Sequence, residues 1–195
     1  MQRFYDERLG SDCGIDEAGR GPWAGPVVAA AVILPEGFFS PKLNDSKKVS
    51  KRNREIIFRE ITSKAEYAIG YASVREIDRF NILQATFLAM RRAVTNLRVV
   101  PKRALVDGNS IPTDLPCESK SIIKGDGKVA SIAAASIIAK VTRDRFMTDL
   151  AKEYPGYGWE KNFGYGVIEH QKALELLGIT PEHRRSFKPI YNMLC

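Results

Sequence analysis

The pattern of apolar and polar positions predicts strands at the beginning of the chain. A short apolar stretch ends at Asp16, and a continuous apolar run covers residues 27–34 (VVAAAVIL), where Pro35 stops it. Both stretches have the length of buried strands. Between them, residues 17–26 (EAGRGPWAGP) contain three glycines and two prolines, which predicts a loop. A third strand is expected over residues 67–74 (YAIGYASV).

Three later segments are predicted to be helices. Ser50 is expected to cap a helix that runs to about Glu60, with Ile56, Ile57 and Ile61 facing inward. A second helix carries one apolar stripe with spacings of three and four, formed by Ile77, Phe80, Leu83, Phe87, Met90, Val94 and Leu97. A long helix is expected from residue 128 to about 154. Its first half is rich in Ala and Ser, so it can lie close against a sheet or a ligand.

Two more strands complete the predicted topology. They cover residues 103–107 and 121–124 and end at Asp107 and at Gly125-Asp126. The first three strands can form an antiparallel meander, and the helix before the fourth is a crossover. The order predicts an α/β protein with a mixed five-stranded sheet flanked by helices. A chain of 195 residues is expected to form one domain, with a core at about 10–154 and a helical extension at about 155–195.

The charge and the cysteine content of the chain indicate the kind of binding partner and the cellular compartment of the protein. The net charge is +7, and residues 41–64 hold eight Lys or Arg against three Asp or Glu. Such a segment favours contact with a polyanion such as nucleic acid, although a solvated helix face is the alternative. The three cysteines form no CxxC motif, and no apolar run approaches membrane-spanning length. We therefore expect reduced thiols and a cytoplasmic protein.

Acidic residues stand at the ends of three predicted strands. Asp16 and Glu17 follow the first apolar stretch, Asp107 ends another strand, and Asp126 comes shortly after a third. Apolar strands draw their ends into the core, which can bring these carboxylates together. Crowded carboxylates repel, and a hard cation such as Mg²⁺ or Mn²⁺ is the usual relief. Two such ions about 3.5–4 Å apart form a clamp for in-line attack on a phosphodiester.

Each of these features also has a purely local interpretation. Asp126 before Gly127-Lys128 suits a helix N-cap, and Asp107-Gly108-Asn109 is an ordinary turn sequence. Gly19-Arg20-Gly21, next to the first acids, is compatible with a flexible loop. The same triplet can also offer backbone N–H groups and a cation to a phosphate or a sugar hydroxyl.

A series of motifs then spans nearly the whole chain. In order they are residues 14–22 (GIDEAGRGP), 45–48 (DSKK), 106–109 (VDGN), 124–126 (KGD), 134–145 (AASIIAKVTRDR), 164–166 (GYG) with Glu169-His170, and 183–187 (HRRSF). In kind and order they resemble bacterial ribonuclease HII. The resemblance implies a ribonuclease H-like fold and a metal-dependent endonuclease. Its expected reaction is hydrolysis on the 5′ side of a ribonucleotide, leaving 3′-hydroxyl and 5′-phosphate ends.

The same resemblance implies roles for individual residues. The family's four catalytic, metal-binding acids fall on Asp16, Glu17, Asp107 and Asp126. Asp16 and Asp107 would be the principal ligands of Mn²⁺ or Mg²⁺. Glu17 would hold the second ion, and Asp126 would complete the site and help position the attacking water.

Substrate recognition is implied for a second group of residues. Gly19, Arg20, Gly21 and Tyr165 would read the 2′-hydroxyl, the group that distinguishes RNA from DNA. For Tyr165 the alternative is a buried loop anchor. Lys47 is the best candidate for a contact near the scissile phosphate. The usual lysine and threonine around the GYG motif are replaced here by Phe163 and Val167, so contacts from those two positions are in question.

The expected substrate is an RNA/DNA hybrid or duplex DNA that contains a ribonucleotide, and the expected state is a monomer. Two rival functions stay open on the sequence. One is another nuclease of the same fold, such as a junction resolvase or a transposase. The other is a nucleic-acid binding module whose acids are structural. Gly19-Arg20-Gly21 beside the acids and Tyr165 near the C-terminus favour ribonuclease HII.

Overall fold

Five strands form one mixed sheet in the order β3-β2-β1-β4-β5. The structure, a computed structural model, describes residues 7–41, 43, 46 and 49–194. The strands are β1 (Asp12–Ala18), β2 (Val27–Ile33), β3 (Glu66–Ala72), β4 (Arg103–Asp107) and β5 (Glu118–Ile122). β2 pairs antiparallel with β1 and β3, whereas β4 pairs parallel with β1 and β5. The predicted meander and the mixed five-stranded sheet are confirmed.

Helices cover both faces of the sheet. They are α1 (Lys51–Lys64), α2 (Val74–Thr95), α3 (Ala130–Glu153), α4 (Trp159–Asn162), α5 (Ile168–Leu177) and α6 (Lys188–Tyr191). α2 connects β3 to β4 and packs on one face, while α1 and α3 pack on the other. The C-terminal helices share a separate apolar cluster with the end of α3. The division of the chain near residue 154 stays a prediction.

Helix α3 rests directly on the central strand β1. A Cβ atom at Gly14 would lie 2.1 Å from the carbonyl carbon of Ser131, so only glycine permits this approach. The carboxylate of Glu7 caps the helix, because the N–H groups of Ala130 and Ser131 each donate to it at 3.1 Å. The expectation that small residues let this helix lie close to the sheet is confirmed.

Several predicted element boundaries are wrong. The third strand covers Glu66–Ala72 and not residues 67–74, because Ser73 caps α2 and Val74 lies in that helix. Helix α1 ends at Lys64 and not at about Glu60. The first strand does not end at Asp16 but continues through Ala18, because its backbone pairs with β2 as far as Val28. The last strand covers Glu118–Ile122 and not residues 121–124. It is a polar edge strand, and the apolar Ile123 that suggested the later position is 62% exposed. The long helix begins at Ala130 and not at residue 128.

The predicted apolar stripe of α2 is only partly correct. Asn81 breaks the helix with φ 69° and ψ 165°. Its side-chain oxygen accepts the N–H groups of Leu83 and Gln84 and so starts a second helical segment. The kink turns Phe80 and Leu83 toward solvent, where both are exposed, while the later members of the stripe stay in the core.

Helix α1 begins as expected, since the N–H group of Asn53 donates to the Ser50 hydroxyl. Ile57 and Ile61 are buried, but Ile56 is exposed, so its predicted inward orientation is wrong. Cys13 and Cys117 are free thiols, and Cys195 lies outside the described residues. Within the described ranges, every helix is too short or too polar to cross a bilayer.

Candidate active site

Three predicted acids converge at the carboxyl ends of the parallel strands. β1 and β4 pair as far as Ile15 and Val106, and Asp16 and Asp107 are the next residue on each strand. Asp126 follows β5 in a single 3-10 turn, Gly125–Gly127. One carboxylate oxygen from each of Asp16, Asp107 and Asp126 lies within 4.8 Å of the others. The expectation that strand ends bring these acids together is confirmed.

Glu17 reaches the site from the other face of the sheet. Successive side chains of a strand point to opposite faces. Gly14 contacts α3 and Ile15 packs with α2, so Asp16 points toward α3 and Glu17 toward α2. Among the described residues, the group within 4.8 Å does not include Glu17. Its carboxylate lines the same cleft and lies 3.4 Å from the guanidinium of Arg20.

The electrostatics of Asp16 show the cost of crowding these acids. Burial raises the pKa of the Asp16 carboxyl well above its usual range, and the charges of Glu17 and Asp107 raise it further. Hydrogen bonds from the Glu17 N–H, at 2.7 Å, and from the Ser136 hydroxyl oppose this shift. A group of carboxylate oxygens that repel one another is a donor set that suits a hard divalent cation. The residues present therefore fit such an ion.

A cleft of about 680 Å³ surrounds the acids and brings most predicted site residues together. It is lined by Asp16, Glu17, Ala18, Gly19, Arg20, Gly21, Ser46, Ile82, Asp107, Ser136, Lys140, Arg143 and Tyr165. Asp126 joins the site through its approach to Asp16 and Asp107. Lys47 lies outside the described residues, and the preceding Ser46 is buried in the cleft wall, 2.7 Å from the Ser136 hydroxyl.

The loop with Gly19, Arg20 and Gly21 is fixed from behind by a buried arginine. Arg184 donates from Nη2 to the carbonyl of Gly19 at 2.6 Å and from Nη1 to that of Arg20 at 3.0 Å. Gly19 has φ +98°, and a Cβ there would lie 2.1 Å from Nε of Arg143. The loop is therefore fixed by hydrogen bonds and is not flexible. The carbonyls of Gly19 and Arg20 point toward Arg184 and away from the cleft.

Arg143 extends the same support beneath the cleft. It donates to the carbonyls of Ala24, Pro26 and Phe163 at 2.9–3.0 Å. Burial lowers the pKa of Arg143 to about 10. Burial and the neighbouring Arg143 charge lower the pKa of Arg184 to about 9. Both remain charged at neutral pH, and charge-assisted hydrogen bonds hold the backbone of the site in place.

Tyr165 presents its ring to the cleft beside the glycine loop. The side chain is 44% exposed, which contradicts the buried-anchor interpretation. A Cβ at Gly21 would lie 3.6 Å from Cε1 of Tyr165, so ring and loop are neighbours. The backbone is held separately, since its N–H donates to the carbonyl of Asn162 at 2.9 Å. The structure thus places the two predicted recognition elements side by side.

Phe163 and Val167, the two departures from the family pattern, have different surroundings. Phe163 adopts the left-handed conformation with φ +50°, and the Lys140 ammonium lies 4.9 Å from its ring centroid. Lys140 also pairs with Asp144 at 2.7 Å. The positive charge next to position 163, where the family pattern has a lysine, is therefore that of Lys140 on α3. Val167 is exposed and is the N-cap residue of α5.

Several residues of the site were not identified from the sequence. Ser136, Lys140 and Arg143 stand at i, i+4 and i+7 on α3 and so share one helix face, a spacing that the sequence itself shows. Ile82 lines the cleft directly after the kink at Asn81 in α2, which no apolar pattern indicates. Asp126 is not the N-cap of α3, which is Val129.

Two buried histidines lie behind Tyr165 and give the fold a pH dependence. Burial lowers the pKa of His170, and burial together with the neighbouring His170 lowers the pKa of His183 to about 4. Between pH 6.5 and about 4 the unfolded chain then binds more protons than the folded protein. We predict that lowering the pH from 6.5 to about 4 reduces the free energy of unfolding by about 3 kcal/mol through His183 alone. Denaturant unfolding at several pH values measures it.

The matched control for this prediction is His183→Gln, which cannot titrate. Its free energy of unfolding is expected to fall less steeply between pH 6.5 and pH 4 than that of the native chain. Carboxylates contribute equally to both proteins and cancel in the difference. Parallel curves for the two proteins would show that His183 titrates normally in the folded state.

Comparison with known proteins agrees with this geometry. The family model of ribonuclease HII matches residues 13–190. Proteins named ribonuclease HII from Jannaschia sp. and Paracoccus denitrificans are 54% and 53% identical to the chain. Each alignment covers 93% of this chain, and 92% and 87% of the respective relatives. The crystal structure of ribonuclease H2 from Pyrococcus horikoshii superposes with a TM-score of 0.80 at 27% identity, covering 94% of this chain and 96% of that one. The chain belongs to the ribonuclease HII family.

Proposed function

We propose that this chain hydrolyses the phosphodiester on the 5′ side of a ribonucleotide, in RNA/DNA hybrids and at single ribonucleotides in duplex DNA. The general activity follows from family membership. The chain is a type 2 ribonuclease H, a metal-dependent endoribonuclease that acts on RNA/DNA substrates. The observation that carries the finer proposal is that Asp16 and Asp107, which cluster with Asp126, line the same cleft as Gly21 and Tyr165. The products would be 3′-hydroxyl and 5′-phosphate ends.

The acids have distinct places in the proposed site. Asp16 and Asp107 would be the principal ligands of Mn²⁺ or Mg²⁺, and Glu17, which reaches the cleft from the α2 face, would hold a second ion. Asp126 would complete the site and help position the attacking water. When bound, the ions lower the pKa of the water and stabilise charge on the leaving oxygen.

Recognition of the ribonucleotide would come from the neighbouring loop and ring. Arg184 donates to the carbonyls of Gly19 and Arg20. The N–H groups that follow these carbonyls in the chain would point the opposite way and donate to the 2′-hydroxyl oxygen. The Tyr165 ring would pack on the flat face of the adjacent sugar or base, with its hydroxyl free to form a hydrogen bond. A single 2′-hydroxyl is then read by groups whose backbone is already held in place.

Lys47 would contact a phosphate near the scissile bond. Support comes from Ser46, the preceding residue, which lines the cleft. We predict that Lys47→Ala makes the slope of the logarithm of the binding constant against the logarithm of the salt concentration less negative by about 0.9. This is the effect of one lost phosphate contact. Binding is measured in an Asp107→Asn background, so that the substrate is not cut. Lys152→Ala is the control, because Lys152 is an exposed lysine outside the cleft. An unchanged slope for Lys47→Ala would remove Lys47 from the interface.

A substrate panel tests the proposed function against its rivals. The purified protein is incubated with Mn²⁺ or Mg²⁺ and four substrates: an RNA/DNA hybrid, a DNA duplex with one ribonucleotide, an all-DNA duplex and a four-way DNA junction. We expect cleavage of the first two only. Cleavage of the junction would identify a resolvase, and absence of any cleavage would identify a binding module. The panel also determines which of the two ions supports the higher rate.

The expected state and compartment are a monomer in the cytoplasm. The chain has an odd number of widely spaced cysteines and no CxxC motif, which supports location in a reducing compartment. Light scattering of the purified protein, alone and with a ribonucleotide-containing duplex, tests the monomer. A dimer in either sample would contradict it.

A further inference from the structure

A buried histidine pair connects the C-terminal part of the chain to Tyr165. His170 lies on α5, and His183 lies in the segment between α5 and α6; both are fully buried. Their Nε2 atoms are 3.1 Å apart. Nδ1 of His170 is 2.9 Å from the carbonyl oxygen of Tyr165. The rings of Tyr157 and Trp159 pack against both histidines.

The hydrogen-bond partners assign a tautomer to each ring. The backbone N–H of Thr180 donates to Nδ1 of His183 at 2.9 Å, so that nitrogen carries no proton. The proton of neutral His183 is then on Nε2 and is donated to Nε2 of His170. Nε2 of His170 also accepts the indole N–H of Trp159 at 3.1 Å, so the two donors share its single lone pair. His170 must therefore carry its own proton on Nδ1 and donate it to Tyr165.

The chain of hydrogen bonds thus runs in one direction, from Thr180 through His183 and His170 to the Tyr165 carbonyl. Val167 donates to the same carbonyl oxygen within the tight turn at 2.9 Å. The histidine bond is different, because it ties that turn to α5 and to the segment that follows α5. The adjacent Arg184 holds the glycine loop that faces the Tyr165 ring.

We propose that His170, oriented by His183, is a positioning residue that holds Tyr165 against Gly21 and so sets the efficiency with which a single ribonucleotide is recognised. The proposal rests on the proposed function of Tyr165. His170 itself does not face the cleft and acts only through the backbone of Tyr165. Losing the bond would let the turn shift, and the ring would lose its place beside the glycine loop.

Two substitutions of His170 separate this role from simple packing. In His170→Asn the amide nitrogen takes the place of Nδ1 and keeps the donor to Tyr165. In His170→Gln the amide oxygen takes the place of Nε2, so the side chain keeps its Trp159 and His183 partners and loses Tyr165. On a duplex with one ribonucleotide we expect kcat/KM to fall about three- to tenfold in His170→Gln, the effect of one neutral hydrogen bond. His170→Asn should stay within about twofold of the native chain.

A double-mutant cycle with Tyr165→Ala shows whether the effect passes through Tyr165. We expect the difference between His170→Gln and His170→Asn to disappear in the Tyr165→Ala background. A difference that persists there would mean that His170 acts through packing and would overturn the proposal. Equal kcat/KM for the two His170 variants in the native background would overturn it as well. Tyr165→Ala without any effect would overturn the proposed role of Tyr165 and, with it, this inference.

A second pair of variants covers the case in which the His170 variants do not fold, as judged from their melting temperatures. His183→Gln keeps a donor for His170 at the Nε2 position, whereas His183→Asn keeps only the acceptor for Thr180. We expect His183→Gln to retain kcat/KM on the single-ribonucleotide duplex and His183→Asn to lose about three- to tenfold. Equal values for these two folded variants would overturn the proposal.

Discussion

Asp107→Asn is expected to abolish cleavage while the protein stays folded. Its carboxylate is one of the three that meet within 4.8 Å at the strand ends. Stabilisation of developing charge by a bound metal ion is worth several kcal/mol, and each factor of ten in rate is about 1.4 kcal/mol. A lost ligand should therefore reduce kcat by at least about a thousandfold. Single-turnover cleavage with Mn²⁺ measures the loss.

The folded state should tolerate this change because asparagine keeps the structural contact of Asp107. Oδ1 of Asp107 accepts the N–H of Gly125 at 2.7 Å, and an amide oxygen can do the same. Removing one charge also relieves the repulsion that raises the pKa of Asp16. Metal-free stability should hold or rise. Asp114→Asn is the control, since that side chain is 86% exposed. Substantial activity of Asp107→Asn with Mn²⁺ would exclude a role as metal ligand.

Tyr165→Ala is expected to lower kcat/KM about a hundredfold or more on a duplex with one ribonucleotide. Aromatic stacking on a nucleotide is worth about 1–3 kcal/mol, and the hydroxyl adds the value of one hydrogen bond. Tyr165→Phe keeps the ring and should cost about tenfold or less. The loss should be largest with a single ribonucleotide, because only one 2′-hydroxyl is then available to be recognised.

The kinetic constants of native protein, Tyr165→Phe and Tyr165→Ala provide the test. Tyr191→Ala is the matched control, because Tyr191 is an exposed tyrosine on α6. It should leave kcat/KM unchanged. Equal rates for all three proteins at position 165 would leave recognition to Gly19, Arg20 and Gly21 alone.

The strand-end acids were predictable because local pattern and register act together there. Apolar runs that end in Asp16 and Asp107 become neighbouring parallel strands, and the register places the two residues at the same level. The position of Glu17 was less accessible from the sequence. The sequence suggested that its strand ended at Asp16, and the alternation of side chains across a longer strand puts Glu17 on the opposite face.

The supporting residues could not be predicted in the same way, because long-range contacts determine them. Arg184 and the carbonyl of Gly19 are 165 residues apart in the chain. His170 and His183 meet only because α5 and the following segment fold back on each other. The kink at Asn81 depends on one side chain that accepts two backbone N–H groups, and this moved Phe80 and Leu83 out of the predicted core.

The most direct test uses one pair of DNA duplexes that differ only in a single 2′-hydroxyl. Each strand is labelled at both ends, and the products formed with Mn²⁺ are mapped for position and end chemistry. We predict one cut on the 5′ side of the ribonucleotide, with 3′-hydroxyl and 5′-phosphate ends, and no cut in the all-deoxy duplex. Cleavage of both duplexes at similar rates, or a cut on the 3′ side, would contradict recognition of the 2′-hydroxyl next to the three-aspartate cluster.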